Sequence, residues 1–82
     1  MDLVKLTEEL VMAVVTDKDI AQVREFPTED PKVIQIEVLV SNNDMPKVIG
    51  KHGKVINSIR TLVQASSYIK ENKIVKINID SI

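Results

Sequence analysis

Two glycines three residues apart, Gly50 and Gly53, interrupt an otherwise helix-like apolar run, Val48-Ile49-Gly50-Lys51-His52-Gly53-Lys54-Val55-Ile56. Each glycine costs a helix interior about 1 kcal/mol relative to alanine. A pair this close predicts a sharp corner between two helices, where the backbone can come near a ligand. The chemistry offered there suits phosphate. Glycines permit close approach, and the start of the next helix brings unpaired N–H groups and the positive end of a dipole. Lys51 would neutralise a phosphate, and His52, counted neutral at pH 7, would donate a hydrogen bond. Lys47, Lys54 and Arg60 would add a positive field and phosphate contacts; solvated helix surface is an equally good reading of each. Ile49, Ile56, Val38 and Val40 would form either an apolar floor under a ligand or part of the core.

The charge pattern favours an anionic partner for this corner. The formal net charge is only −1, but it divides unevenly. Residues 1–44 hold ten acidic and four basic residues, whereas residues 45–82 hold seven basic and two acidic. No Asp or Glu occurs between Met45 and Lys70. Such asymmetry suits a polyanion on one face. Composition excludes other classes. Without cysteine, and with one histidine, no thiolate zinc site or other metal site is expected. No nucleophile–base set or motif-spaced carboxylate accompanies His52, so we expect no catalytic residue, no cofactor and no small-molecule substrate. Phe26 and Tyr68 are the only large aromatics, too few for the stacking platforms that many RNA-binding folds use.

The elements that must position the corner follow from periodicity. Residues 2–15 read as an amphipathic helix capped by Asp2, with Leu3, Leu6, Thr7, Leu10, Val11 and Val14 on its apolar side. Residues 20–26 fit a short strand, and Pro27–Pro31 a turn. Ile34, Ile36, Val38 and Val40 alternate with Gln35, Glu37 and Leu39, the mark of a strand with one buried face. Ser41–Asp44 supplies helix-capping chemistry before a short helix from Met45 to Ile49, with Pro46 in its first turn. A second helix begins near Gly53 or Lys54, with Val55, Ile56, Ile59, Leu62 and Val63 on one side. Ser66-Ser67 should weaken it, and Asn72 should stop it. Residues 73–79 complete the order as a strand. The expected class is α+β, a single domain over 1–82, with a three-stranded sheet covered on one face by three helices. At 44% apolar and 28% charged residues the chain should fold. It offers no membrane span or signal peptide, which points to the cytoplasm.

The run Val48-Ile49-Gly50-Lys51-His52-Gly53-Lys54-Val55-Ile56 resembles the V-I-G-x-x-G-x-x-I signature of the KH domain. A GxxG alone is weak, but the apolar pair before it, the isoleucine after it, the preceding strand and the following helix make the match specific. The element order resembles the type II, bacterial variant, and the resemblance covers nearly the whole chain. It implies a mixed sheet with the helices on one side, and single-stranded RNA cradled, about four nucleotides long, at the GxxG loop. Val48, Ile49, Gly50, Lys51, His52, Gly53, Lys54 and Ile56 would form that site, with Lys47 and Arg60 beside it. For a free-standing member it further implies an RNA-chaperone role, self-association or pairing with a second KH protein, and a link to peptidoglycan homeostasis and cell length. A competing reading is a dimerisation module with little RNA affinity. Leu62, Val63, Tyr68 and Ile69 supply more apolar surface than a small sheet needs.

Overall fold

The computed structural model describes residues 2–82. Its centre is the strand with the strictest alternation. In β2 (Val33–Val40) every second residue, Ile34, Ile36, Val38 and Val40, is buried. Neighbours lie on both sides. β1 (Gln22–Phe26) runs antiparallel to β2, with Val23 opposite Val38. β3 (Ile74–Ser81) runs parallel to it, with Ile77 opposite Ile36. A parallel pair needs a crossover, and the whole corner region is that crossover. It comprises α2 (Met45–Ile49), a 3-10 turn (Lys51–Gly53) and α3 (Lys54–Lys70). The result is a mixed α+β architecture with a three-stranded sheet in the order β1-β2-β3.

Helices cover the Ile/Val face. α1 (Leu3–Met12) buries Leu3, Thr7 and Val11, and α3 buries Ile56, Ile59, Val63 and Ser67. Val48 of α2 closes the same core. Asp2 caps α1 as its sequence position predicts, accepting the Val4 N–H at 2.9 Å. Among the described residues, no helix is long and apolar enough to cross a membrane.

Several elements depart from periodicity, each for a contact that lies outside it. α1 stops at Met12 rather than Val15. Lys18 Nζ donates to Met12 O, the last carbonyl of the helix, at 2.9 Å and to Val15 O in the connection beyond it at 2.8 Å, a favourable use of a cation at a helix C-terminus. β1 starts at Gln22 rather than residue 20, because Ile20 and Ala21 N–H groups turn back to Asp17 O. α3 runs through Ser66-Ser67 without weakening. Ser67 is fully buried, its hydroxyl donating to Lys73 O at 2.7 Å and accepting Lys73 N–H at 3.3 Å. The helix ends at Lys70, just before Asn72 at φ 54. Leu62, expected on the buried side, is 53% exposed.

The open edge of β3 is covered by side chains rather than by another strand. Gln64 donates to Lys73 O and accepts Val75 N–H, each at 2.9 Å. Arg60 donates to Ile77 O through Nε at 3.2 Å and Nη2 at 2.9 Å. An unprotected edge is a template for unwanted pairing, and α3 thus blocks this one along much of its length.

Candidate nucleic-acid interface

The corner is held from below by a carboxylate. Asp44 precedes α2 at the capping position, yet its side chain does not cap that helix. It reaches back across the chain to the α1–β1 connection. There it accepts Thr16 N–H at 3.1 Å, Thr16 Oγ1–H at 2.7 Å and Asp17 N–H at 2.8 Å. Ser41 Oγ in turn donates to Asp17 Oδ2 at 2.7 Å and accepts Asp44 N–H at 3.3 Å. Burial by itself disfavours the Asp44 charge. The hydrogen bonds from Asp17, Thr16 and Ser41 outweigh it and hold the carboxyl well below the ordinary carboxylate range. The Ser41–Asp44 segment therefore does anchoring work rather than the capping that its composition predicts.

From that anchor α2 makes a little over one turn. Pro46 sits in the first turn, where no N–H is needed. Gly50 then stops it at φ 76, ψ 173, His52 follows at φ 58, ψ 27, and Gly53 opens α3 at φ 73, ψ 14. Three of the four corner residues thus have positive φ, and two are glycines as that geometry requires. The need is strongest at Gly50. A Cβ there would lie 2.9 Å from both Val55 Cβ and Val55 N, and closer still to Val55 Cγ2. Gly50 and Gly53 N–H groups close the turn by bonding Pro46 O and Gly50 O.

The ten residues that sequence reasoning assigned to the site separate into three sets. Gly50, Lys51, His52, Gly53 and Lys54 form the exposed or half-exposed corner, with the half-buried Ile49 beside it. Val48 and Ile56, at 0% and 4% exposure, are core residues. These apolar positions of the signature form the corner's foundation. Val38 and Val40 are likewise core rather than ligand floor. Lys47 and Arg60 are already engaged. Lys47 Nζ lies 3.5 Å from Asp44 Oδ1 and donates to Thr16 Oγ1 at 3.2 Å. Arg60 bridges Ile77 O and Asn57 Oδ1. The cations of the corner without an ion-pair partner among the described residues are therefore Lys51 and Lys54.

Beyond the corner, the face of α3 that turns towards β3 borders an open groove of about 440 Å³, lined by Arg60, Thr61, Gln64, Ala65, Tyr68 and Val75. Sequence reasoning missed this wall. It singled out Arg60 for its charge alone, and it read Tyr68 as no stacking platform but as part of the apolar surface of a dimerisation module. The signal available was helical spacing, since Gly53, Asn57, Arg60, Gln64 and Tyr68 recur at intervals of three or four.

Comparison with known proteins agrees with this architecture. The family model for the KhpA/KhpB KH domain matches residues 4–79. The chain is 36% identical over 75 residues to RNA-binding protein KhpA of Clostridium acetobutylicum, covering 92% of this chain and 96% of that protein. It is 39% identical over 75 residues to RNA-binding protein KhpA of Caldanaerobacter subterraneus subsp. tengcongensis, with the same coverage of each. Among solved structures it resembles Era, crystallised in complex with MgGDPNP and nucleotides 1506–1542 of 16S ribosomal RNA. The TM-score is 0.69 at 19% identity, across 96% of this chain but only 29% of the Era chain. That likeness is one of fold. With the family model spanning nearly every element and relatives above 30% identity aligned over almost their full length, the chain belongs to the KhpA/KhpB family of KH-domain proteins.

Proposed function

We propose that this protein binds single-stranded RNA at the Gly50–Gly53 corner. One observation carries the reading. A positive-φ turn, Gly50–Gly53, presents two lysines without an ion-pair partner among the described residues, Lys51 and Lys54, in a stretch without acidic residues. A phosphate is the anion those charges suit. Gly50 and Gly53 admit the sugar-phosphate chain, Lys51 and Lys54 neutralise it, and His52 adds a donor. Ile49 offers an apolar edge, and Val48 and Ile56 hold the corner in place. Lys47 orients the α2 start through Asp44, and Arg60 stands where the strand passes along α3. The names of the KhpA relatives support RNA as the ligand. The wider role is an RNA chaperone of the cytoplasm, linked to cell-wall homeostasis and cell length and acting from one domain over 1–82.

The test is the double substitution Lys51→Asp with His52→Asp. It reverses the corner's charge at two exposed side chains, so the fold is retained while RNA affinity falls. Wild-type affinity also falls as salt rises, because phosphate contacts release counterions. A double variant that binds single-stranded RNA as tightly as wild type overturns the corner mechanism.

A second reading rests on a different observation. Leu62 is 53% exposed and Ile69 85%, both on α3 and away from the sheet. This face suits a second copy of the chain or a KhpB-like KH protein, and a dimer would strengthen weak single-domain binding by avidity. Sedimentation decides it: a strict monomer at micromolar concentration removes the self-association version.

A further inference from the structure

We infer a second RNA subsite at Tyr68, where a nucleobase of the bound strand stacks on the phenol ring at the far end of the α3–β3 groove. This rests on the reading of the corner as an RNA site and extends it. Tyr68 is 53% exposed although it is one of only two large aromatics in the chain. It lines an open groove rather than sitting alone on a convex surface. One helix stripe leads from the corner to this groove. Gly53, Asn57, Arg60, Gln64 and Tyr68 follow one another up α3, and Asn57 and Arg60 are hydrogen-bonded at 3.2 Å.

The lining suits a base rather than an apolar partner. Arg60 carries five N–H donors, and three of its nitrogens each already serve a protein acceptor, so further donors stay free. Gln64 uses one amide N–H on Lys73 O and receives one bond from Val75, leaving a donor and a lone pair. Thr61 donates to Asn57 O and keeps its acceptor capacity. Val75 and Ala65 add apolar contact. An aromatic face flanked by groups that can meet a base edge is the arrangement by which single strands are held. Met45 to Lys70 contains no carboxylate side chain, and Glu71, three residues beyond Tyr68, lies between Lys70 and Lys73 in sequence.

Position sets a length requirement. Tyr68 lies fifteen residues beyond Gly53, about 22 Å along a helix rising 1.5 Å per residue. Four nucleotides at a stacked rise of 3.4 Å cover about 14 Å, so a strand clamped at the corner must continue to reach the ring.

The chain provides its own probe, because Tyr68 is its single tyrosine and there is no tryptophan. The experiment titrates the intact protein with a tetranucleotide and an octanucleotide RNA, reading tyrosine emission and, separately, anisotropy of the labelled RNA. The octamer is expected to quench Tyr68 and to bind more tightly than the tetramer. In Tyr68→Ala the octamer weakens by about 5- to 150-fold, the equivalent of one base stack, with tetramer affinity unchanged. Tyr68→Phe keeps the octamer's advantage. Unchanged emission at saturating octamer overturns the subsite, as does a Tyr68→Ala variant within twofold of wild type for the octamer. Equal loss for both lengths also overturns it, and so does an effect on self-association alone. The corner variant Lys51→Asp/His52→Asp separates the two readings. If it binds both RNAs normally while the octamer still quenches Tyr68, the corner fails and the stack stands. A wild type that binds neither RNA refutes both.

Discussion

Replacing Gly50 by alanine tests whether the corner is shaped by its backbone or merely permitted by it. Two costs add. The first is conformational. Gly50 sits at φ 76, ψ 173, in a region that is essentially glycine-only and costs a residue with a side chain about 1–3 kcal/mol. The second is steric. The new methyl would stand 2.9 Å from Val55 Cβ and from Val55 N, and overlap Val55 Cγ2. Overpacking of this kind costs about 1–3 kcal/mol more. The expected loss is therefore about 2–6 kcal/mol, against a total near 4–12 kcal/mol for a chain of this size. Urea denaturation followed by circular dichroism measures it, with the slope unchanged and the midpoint lowered. Gly53→Ala is the control. Gly53 is in the ordinary left-handed region, and a Cβ there meets only Asn57 Nδ2 at 3.5 Å, so its loss is about 1–2 kcal/mol. Val55→Ala on top of Gly50→Ala gives only partial rescue, because the Val55 backbone nitrogen stays in the way. If Gly50→Ala loses under about 1 kcal/mol, or less than Gly53→Ala, the steric account of the corner is wrong.

Asp44 sets a pH dependence whose sign is fixed by the direction of its shift. Its carboxyl titrates below its ordinary value of 3.8 in the folded protein. Its stabilisation is thus present above that value and drains away as pH falls below it. Asp44→Asn should lower stability at neutral pH and flatten the acid limb, so that the gap from wild type narrows below pH 4; a constant gap from pH 7 to pH 2 refutes the role. The same variant should also weaken RNA binding without touching the corner itself, and unchanged affinity would separate the anchor from the site. Ser67→Ala sets propensity against burial. Alanine is the better helix former by about 0.5 kcal/mol, but the change leaves the Lys73 N–H without the hydroxyl it donates to. A net loss of about 1–3 kcal/mol is expected in thermal or urea unfolding, and a stabilised variant contradicts it.

What could be read from the sequence, and what could not, follows the range of the forces involved. β2 was legible because its Ile/Val alternation decides its own burial, residue by residue. The corner was legible because its cause is equally local: the glycine that meets Val55 lies five residues from it. Misplaced residues answer to distant partners. Asp44 reads as a helix cap until the α1–β1 connection, 27 and 28 residues earlier in the chain, brings it Asp17 and Thr16. Ser67 is the short-range exception: it reads as a helix weakener until the turn after α3 folds Lys73, six residues on, back onto its hydroxyl. Leu62 reads as core by spacing, yet α3 packs with Ile59 and Val63 inward and leaves Leu62 outside. The same division runs through the site. The motif names Val48 and Ile56 together with the glycines, and the sequence could not show that they are buried in the core while the glycines stand at the surface. Arg60 looked like a free charge because the sequence could not show the Ile77 carbonyl waiting beside it. Arg60 is thus held by the protein and offers a strand only its two remaining donors, whereas Lys51 and Lys54 have no ion-pair partner among the described residues. The corner should set most of the affinity, and the α3–β3 wall most of the selectivity.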